Sequence, residues 1–349
     1  SSRRRHTRYF LASRGLGDVY KRQVSKRTVS RVINKSDLVK AKTREKVEQV
    51  ISDLNYRPNR HARGLASSRS YMIGLVYDVP TLHIADIQKG ILNVAYETGF
   101  ELVVHACHIQ TENLVDEVLE FVARTKVDGV VVLPPVSEVK ELGSELDRMG
   151  CHYVEFSSEL SSKPWKQVVT NYLPAITDMT SHLVNLGHRK FGFISGPKTS
   201  IPSRKRQQAF SKALRQFDLK LPRTMIVEGA FTYASGVRAA EKLLSRKDRP
   251  TAIFAGNDEM AFGVMNVANR MGIVVPDQLS VVGFDGTAFA EFVIPSLSTI
   301  RRPSNTMSEL GAKKLIARIC EGRDAARAFE VMVSPQYAPG ESTGPAPKD

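Results

Sequence analysis

Cysteine is scarce. The 349 residues contain three, Cys107, Cys151 and Cys320. An odd number at scattered spacings fits neither a disulfide framework nor a zinc site, so reduced thiols are expected. Cys107 lies between His105 and His108, but strand alternation puts His105 and Cys107 on one face and His108 on the other, which argues against a shared metal. No run of eighteen apolar residues occurs, and the arginine-rich N-terminus has no apolar stretch of the kind a secretory signal requires. A cytoplasmic protein is the expectation. Catalytic patterns are missing as well: there is no Gly-x-Ser-x-Gly, no phosphate loop and no His pair at metal spacing. Gly283-Phe-Asp-Gly286 is too weak to suggest a dinucleotide site. Neither an enzyme nor a cofactor is expected.

What is present is an uneven charge. The net charge is +14, and it is concentrated at one end. Residues 1–70 hold 19 Lys and Arg against 5 Asp and Glu, while the other 279 residues hold 31 of each. A basic head on a neutral body is the electrostatic footprint of a polyanion binder. A basic disordered tail has the same counts, and periodicity argues against it. In Val24-Ser-Lys-Arg-Thr-Val-Ser-Arg-Val-Ile-Asn34, Ser25 is placed to cap a helix. Val29, Val32 and Ile33 share one side; Lys26, Arg27, Ser30, Arg31 and Asn34 spread over the other. A second helix follows, with Thr43 as its expected cap and Val47, Val50, Ile51 and Leu54 at i, i+3, i+4 and i+7.

A short helix presenting Lys, Arg and Ser near its N-terminus suits the DNA major groove; a merely solvated face has the same pattern. The next segment, Asn55 to Arg69, contains Pro58, which can open a short helix, and a Ser pair that reads as a linker. Gly64 weakens that helix by about 1 kcal/mol relative to Ala, so the segment is expected to fold only when something holds it.

On Val24 to Asn34, Thr43-Arg-Glu-Lys-Val47 and Asn55-Tyr-Arg-Pro-Asn59 through Leu65-Ala66, the chain resembles the lactose-repressor family of bacterial regulators, and the resemblance continues through almost all of the remaining sequence. It implies that the helix beginning near Ser25 is the recognition helix of a helix-turn-helix. Lys26, Arg27 and Arg31 would face the bases, with Ser25, Thr28, Asn34, Thr43 and Tyr56 near the backbone. A hinge helix would carry Leu65 into the minor groove, flanked by Ala62 and Arg63. One departure stands out. The family has a first helix with an Asp-Val-Ala pattern ahead of Val24; here Ser1 to Gln23 lacks it, and Asp18-Val19 is one position out of register. Residues 1–23 are therefore expected to be a foreign or unstructured stretch, and this polypeptide to bind DNA weakly. Residues 24–70 still carry +8.

From Tyr71 onward, short apolar runs alternate with helical stretches. The runs are Met72 to Tyr77, Leu102 to Ala106, Gly129 to Leu133, Tyr153 to Phe156, Lys190 to Ile194, Ala252 to Ala255 and Leu279 to Phe284. Such alternation predicts parallel sheets flanked by helices, divided into two lobes. Ligands of such sheets bind outside the carboxyl ends of the strands, which singles out Asp78, Asn257, Asp258 and Asp285. Carboxylates and an amide there suit vicinal hydroxyls, with Asp258 read chiefly as a helix cap.

Leu186-Gly-His-Arg189, Ile194-Ser-Gly196, Asn257-Asp258, Pro276-Asp277, Val282-Gly-Phe-Asp285 and Pro295-Ser-Leu-Ser-Thr299 are similar to effector-domain landmarks of the same family. Leu186 to Arg189 also reads as helix C-terminal chemistry. The resemblance implies a periplasmic-binding-protein-like α/β effector domain of two lobes behind an all-α helix-turn-helix head whose first helix is replaced. Arg206, Asn257 and Asp285 would contact the effector, Phe231 would stack on it, and Glu155 would stand where the family often has Asp. Glu155 and Asp78-Val-Pro-Thr-Leu82 depart from the common pattern. The expected boundaries are 1–23, 24–57, 58–70 and 71–349, with one lobe at about 71–168 and 300–330 and the other at about 171–297 and 331–349. The implied partners are a pseudo-palindromic operator, a small effector that family precedent makes a carbohydrate, and a second copy of the chain. The competing expectation is a solute-binding protein of a transport system, which explains the body but not the head.

If these roles hold, Leu65→Ala lowers specific DNA binding while leaving salt-dependent nonspecific binding largely intact, because phosphate contacts supply the latter. Lys26→Ala and Arg27→Ala instead change base preference, by about 1–3 kcal/mol per bidentate contact. Binding isotherms on specific and random duplexes separate the two; equal loss of both modes in Leu65→Ala contradicts the minor-groove role.

Overall fold

The computed structural model describes residues 26–33, 38–53, 69–78 and 81–348. The chain divides into two units, residues 1–71 and 72–349. In the first, helices α1 (Lys26–Ile33) and α2 (Ala41–Asp53) pack through Val29, Val32, Val47 and Val50, with Val39 against them. Val29, Val32, Val47 and Val50 belong to the stripes read from the sequence; the side chains of Ile33 and Ile51, and Leu54, lie outside the described residues. The cap assignment is corrected: α2 starts at Ala41, and the amides of Thr43 and Arg44 both donate to the Lys40 carbonyl, at 2.9 and 3.0 Å. Thr43 therefore lies inside the first turn, because Ala41 and Lys42, both good helix formers, extend the helix ahead of it.

The second unit contains two six-stranded sheets. The first is built from β1 (Met72–Tyr77), β2 (Glu101–Ala106), β3 (Gly129–Val132), β4 (His152–Ser157), β5 (Gln167–Thr170) and the short β11 (Met332–Val333), in the order β11-β5-β4-β3-β1-β2. The second uses β6 (Phe191–Ser195), β7 (Ile226–Glu228), β8 (Ala252–Ala255), β9 (Ser280–Asp285), β10 (Ser298–Arg301) and β12 (Gln336–Ala338), in the order β12-β10-β9-β8-β6-β7. All pairings are parallel except β10 with β12. Strands β3, β6, β8 and β9 are buried along their whole length. That is why they read as continuous apolar runs rather than alternating ones.

The strand order of each sheet reverses once, between β1 and β3 in the first and between β6 and β8 in the second, which opens a crevice at the carboxyl ends of the strands. The first lobe carries α3 (Ile84–Thr98), α4 (Leu114–Thr125) and α5 (Lys140–Arg148); the second carries α6 (Leu173–Asn185), α7 (Ile201–Arg215), α8 (Tyr233–Leu244) and α9 (Asp258–Arg270). A single-turn helix, α10 (Phe289–Phe292), precedes β10. The chain then returns to the first lobe as α11 (Ser304–Glu321), packed on α3, β3 and β4, and as α12 (Arg323–Arg327). It crosses between sheets after β5, after β10 and after β11. Met332–Val333 thus lies in the first sheet, just beyond the 330 boundary drawn from sequence, and Ser298–Arg301 in the second.

The Leu186 to Arg189 turn ends α6: His188 is fully buried and touches Thr251, Ser280 and the Gly344 carbonyl, while Arg189 Nη1 donates to the Val184 carbonyl at 2.9 Å. Helices α8 and α9 approach through a glycine from each. A Cβ on Gly236 would lie 2.4 Å from the Met260 carbonyl oxygen, and one on Gly263 would lie 2.6 Å from Val237 N. Neither backbone can yield without separating the helices. Gly236→Val should therefore cost about 1–3 kcal/mol by overpacking, read as a lowered Tm; a variant melting with the parent contradicts this contact.

Candidate functional site

Side chains from the second lobe meet where the strands end. Arg206, on α7, is 5% exposed. Its guanidinium lies over the Phe284 ring at 3.7 Å, with Tyr172 at 5.2 Å and Phe231 at 5.8 Å, and Nη1 donates to the Gly256 carbonyl. Asp285, the last residue of β9, is 7% exposed and accepts from Arg302 Nη1 at 3.3 Å. Phe231 and Asp285 both hold positive φ, 59° and 126°. For residues with side chains this conformation costs roughly 1–3 kcal/mol each and is a feature of functional sites. The Phe231 ring sits over Gly196, where a Cβ would come within 2.0 Å of its Cζ.

Asn257 is structural in its visible contacts. Its side chain caps α9 by accepting from Met260 N at 3.0 Å, and Nδ2 donates to the Phe231 carbonyl at 2.8 Å, holding that left-handed turn in place. The cap assigned to Asp258 thus belongs to Asn257, one residue earlier. Asp258 is instead buried at 1% exposure, accepting from Thr287 N, Thr287 Oγ1 and Thr299 Oγ1 at 2.8, 3.0 and 2.6 Å. It ties the ends of β9 and β10 to α9, and burial raises its carboxyl to about 7.

The first lobe supplies groups that sequence reasoning missed. His83 Nδ1 stands 3.9 Å from Asp285 Oδ2 and 2.8 Å from Thr81 Oγ1. Burial lowers its pKa to about 4, Asp285 opposing and Arg302 and Arg206 adding to the shift, so the ring is neutral at pH 7. Glu138 Oε2 accepts from Ile201 N at the start of α7, at 3.0 Å, and Glu259 Oε1 accepts from Leu82 N at 3.4 Å. These three contacts join the lobes across the crevice. Carboxylates at the starts of α7 and α9 also complement the positive ends of those helices.

Asp78 follows β1 and is half-buried; its Oδ1 accepts from Ile109 N at 3.0 Å, fastening the end of β1 to the loop after β2. Glu155 is a correction: the structure does not bring it to the Arg206–Asp285 group. Strand β4 runs on to Ser157, so Glu155 is paired inside the sheet, opposite Val132 and Gln167. Period-two alternation turns Tyr153 and Glu155 toward α5, where Glu155 Oε1 faces Gly143 at 3.1 Å from its Cβ position; Phe156 turns the other way, onto Gly311. Asp147, Lys163 and Lys166 lie in that neighbourhood, and burial raises Glu155 to about 7.

In the first unit, Lys26 and Arg27 open α1, and Thr28 and Arg31 follow on it, both half-buried; Thr43 is half-buried on α2. Ser25, Asn34, Tyr56, Ala62, Arg63 and Leu65 lie outside the described residues. Cys107 is buried and donates Sγ to the Tyr77 carbonyl, while His105 stacks on Phe121. Among the described residues no group of three or more His, Cys, Asp or Glu is arranged to hold a metal ion, and no helix is long and apolar enough to cross a membrane.

Arg302 follows β10 by one residue, so the rule that singled out Asp285 would have found it had Ser298–Arg301 been read as a strand. Its polar composition hid it. Nothing in the local sequence marks His83.

Residues 21–59 match the family described as bacterial regulatory proteins, lacI family, and residues 180–343 match a periplasmic binding protein-like domain. The sequence is 34% identical over 291 residues to catabolite control protein A of Priestia megaterium, covering 83% of this chain and 86% of that relative. The fold is similar to that of the transcriptional regulator CelR in its cellobiose complex, with TM-score 0.70 and 28% identity over 91% of this chain and 96% of that one. It is also similar to the lac repressor dimer bound to operator and the anti-inducer ONPF, with TM-score 0.74 and 25% identity over 92% and 96% of the two chains.

The lobe contact at Glu138 carries a pH signature. Burial raises its carboxyl from 4.5 to about 7, against the lowering effect of the Ile201 amide and Arg204. A carboxyl raised in the folded state contributes stability that is present below its unfolded pKa and lost as pH rises through the folded one. Glu155 and Asp258 act in the same direction, while His83, depressed to about 4, acts oppositely as pH falls below 6.5. Glu138→Gln should therefore flatten the decline in Tm between about pH 5 and pH 7. Calorimetric profiles that superimpose on the parent's contradict a buried carboxyl at this contact.

Proposed function

This chain belongs to the lacI family of bacterial regulatory proteins, and we propose that it represses transcription from a specific operator under the control of a small effector held between its two lobes. The family's members are transcriptional repressors and not enzymes. The observation that carries the effector reading is the convergence of Arg206, Phe231 and Asp285 at the strand ends of one lobe, faced by His83 from the other. Hydrogen-bonding groups around an aromatic face suit a carbohydrate or carbohydrate derivative. The complex of CelR with cellobiose supports that class. A solute-binding role leaves the match over residues 21–59 without a use.

In this reading Lys26, Arg27 and Arg31 read bases, Ser25, Thr28, Asn34, Thr43 and Tyr56 serve the phosphate backbone, and Ala62, Arg63 and Leu65 enter the minor groove. Asp78 and Asn257 shape the crevice around the residues that touch the effector. The protein acts in the bacterial cytoplasm, where its DNA is. Two copies bind two half-sites. Exposed Phe289, Phe292 and Ile294, at 51%, 72% and 95%, are apolar surface that a second copy would cover. Effector binding shifts the lobes between arrangements and so changes the folding or spacing of the paired hinge segments near Leu65. The coupling is reciprocal and on the order of 5–150-fold.

Selection from randomised duplexes tests the DNA role, followed by titration of the selected duplex in the presence of a sugar and sugar-derivative panel. A pseudo-palindrome holding two chains, with affinity changed at least about fivefold by one panel member, is the expected result. Enrichment of no sequence contradicts operator recognition, and affinity unmoved by the whole panel contradicts carbohydrate control.

A further inference from the structure

One carboxylate, Asp285, stands against two buried guanidiniums in the crevice. Arg302 and Asp285 pair at 3.3 Å with side chains 9% and 6% exposed. Arg206 is as deeply buried and, among the described residues, forms no ion pair: it bonds to the Gly256 carbonyl and the Tyr172 side chain, rests on Phe284 and feels Asp285 only at longer range. The Nε–H groups of Arg206 and Arg302 are both buried without an acceptor. Both guanidiniums act on His83, so they share one neighbourhood. The other nearby carboxyls accept from neutral donors, Asp258 from Thr287 and Thr299, Glu138 from Ile201 N, Glu259 from Leu82 N and Asp78 from Ile109 N, and among the described residues none of them pairs with either arginine.

A buried Glu or Lys can shed its charge by shifting its pKa, but a guanidinium keeps its proton. A second anion in direct contact with the pair would have to come from outside the chain. Planar N–H donors without acceptors are suited to the oxygens of a carboxylate or phosphate.

We propose that the crevice selects an effector bearing one anionic group, a carboxylate or a phosphate ester, which accepts from the unpaired Nε–H groups of Arg206 and Arg302. This rests on the crevice being the effector site, as inferred above. Vicinal hydroxyls of the same molecule are left for Asp285, with the Phe231 ring against its apolar face.

The test is calorimetric titration of the full chain with inorganic phosphate at fixed ionic strength, and with matched probes: D-glucose, D-glucuronate and D-glucose 6-phosphate, and the same three forms of D-galactose. Saturable binding of an acidic probe, about tenfold or more tighter than its neutral parent, is expected. The uronate and phosphate arms tell which anion is preferred. Arg302→Gln should bring the acid-to-neutral ratio close to one, and Arg302→Lys, which keeps the charge, should preserve a preference for the acid. A neutral sugar binding as tightly as its acids overturns the inference while leaving the carbohydrate reading in place. Absence of saturable binding by phosphate and by every acid also overturns it. Arg302-dependent binding of phosphate with no sugar bound in any form supports the anion site and instead removes the carbohydrate reading.

Discussion

A guanidinium carried into a dry interior keeps its charge, and the burial of Arg206 is the constraint around which the second lobe is organised. Moving such an ion out of water costs several kcal/mol even after relaxation. The chain offsets part of this with the Phe284 ring, the Gly256 carbonyl and the Tyr172 ring. A cation over an aromatic face contributes about 0.5–2 kcal/mol, which leaves a deficit. Two residues beside it, Phe231 and Asp285, are held at positive φ. The lobe tolerates this because its sheet is buried along β6, β8 and β9 and its helices pack closely through Gly236 and Gly263. Stability in the sheet supports strain at its rim.

The same economy links the lobes. His83 reaches toward Asp285, Glu138 accepts from the first amide of α7, and Glu259 accepts from Leu82. Each contact joins a loop of one lobe to a strand end or helix start of the other, so each depends on how far the crevice is closed. A ligand that changes closure must bind one arrangement better than the other, since only a difference in affinity moves an equilibrium. Charge in the crevice provides such a difference, because an anion gains most where both guanidiniums are shielded from water.

Much of the body was legible in the sequence for a physical reason. Central strands of parallel sheets are buried on both faces and show as apolar runs, as at Met72–Tyr77 and Ala252–Ala255. Short or polar strands such as β5, β7 and β10 carry no such run, and with β10 unread, Arg302 went unnoticed one residue beyond it. Glu155 was misplaced because its role came from resemblance; alternation along β4 turns it toward α5. The confusion of Asn257 with Asp258 as cap was a one-residue error that only the Met260 hydrogen bond settles. Sheet order and the reach of His83 across the crevice depend on contacts distant in sequence, which no local pattern encodes.

The central claim is that Arg206 is retained for a ligand at the expense of the unliganded fold. Thermal melting of Arg206→Met without ligand tests this most directly, because methionine fills much of the same space without charge. The account predicts a raised Tm, at about 2–4 °C for each kcal/mol recovered, together with loss of effector binding. A Tm lowered by several degrees, with effector binding retained, would contradict it and make Arg206 a structural residue.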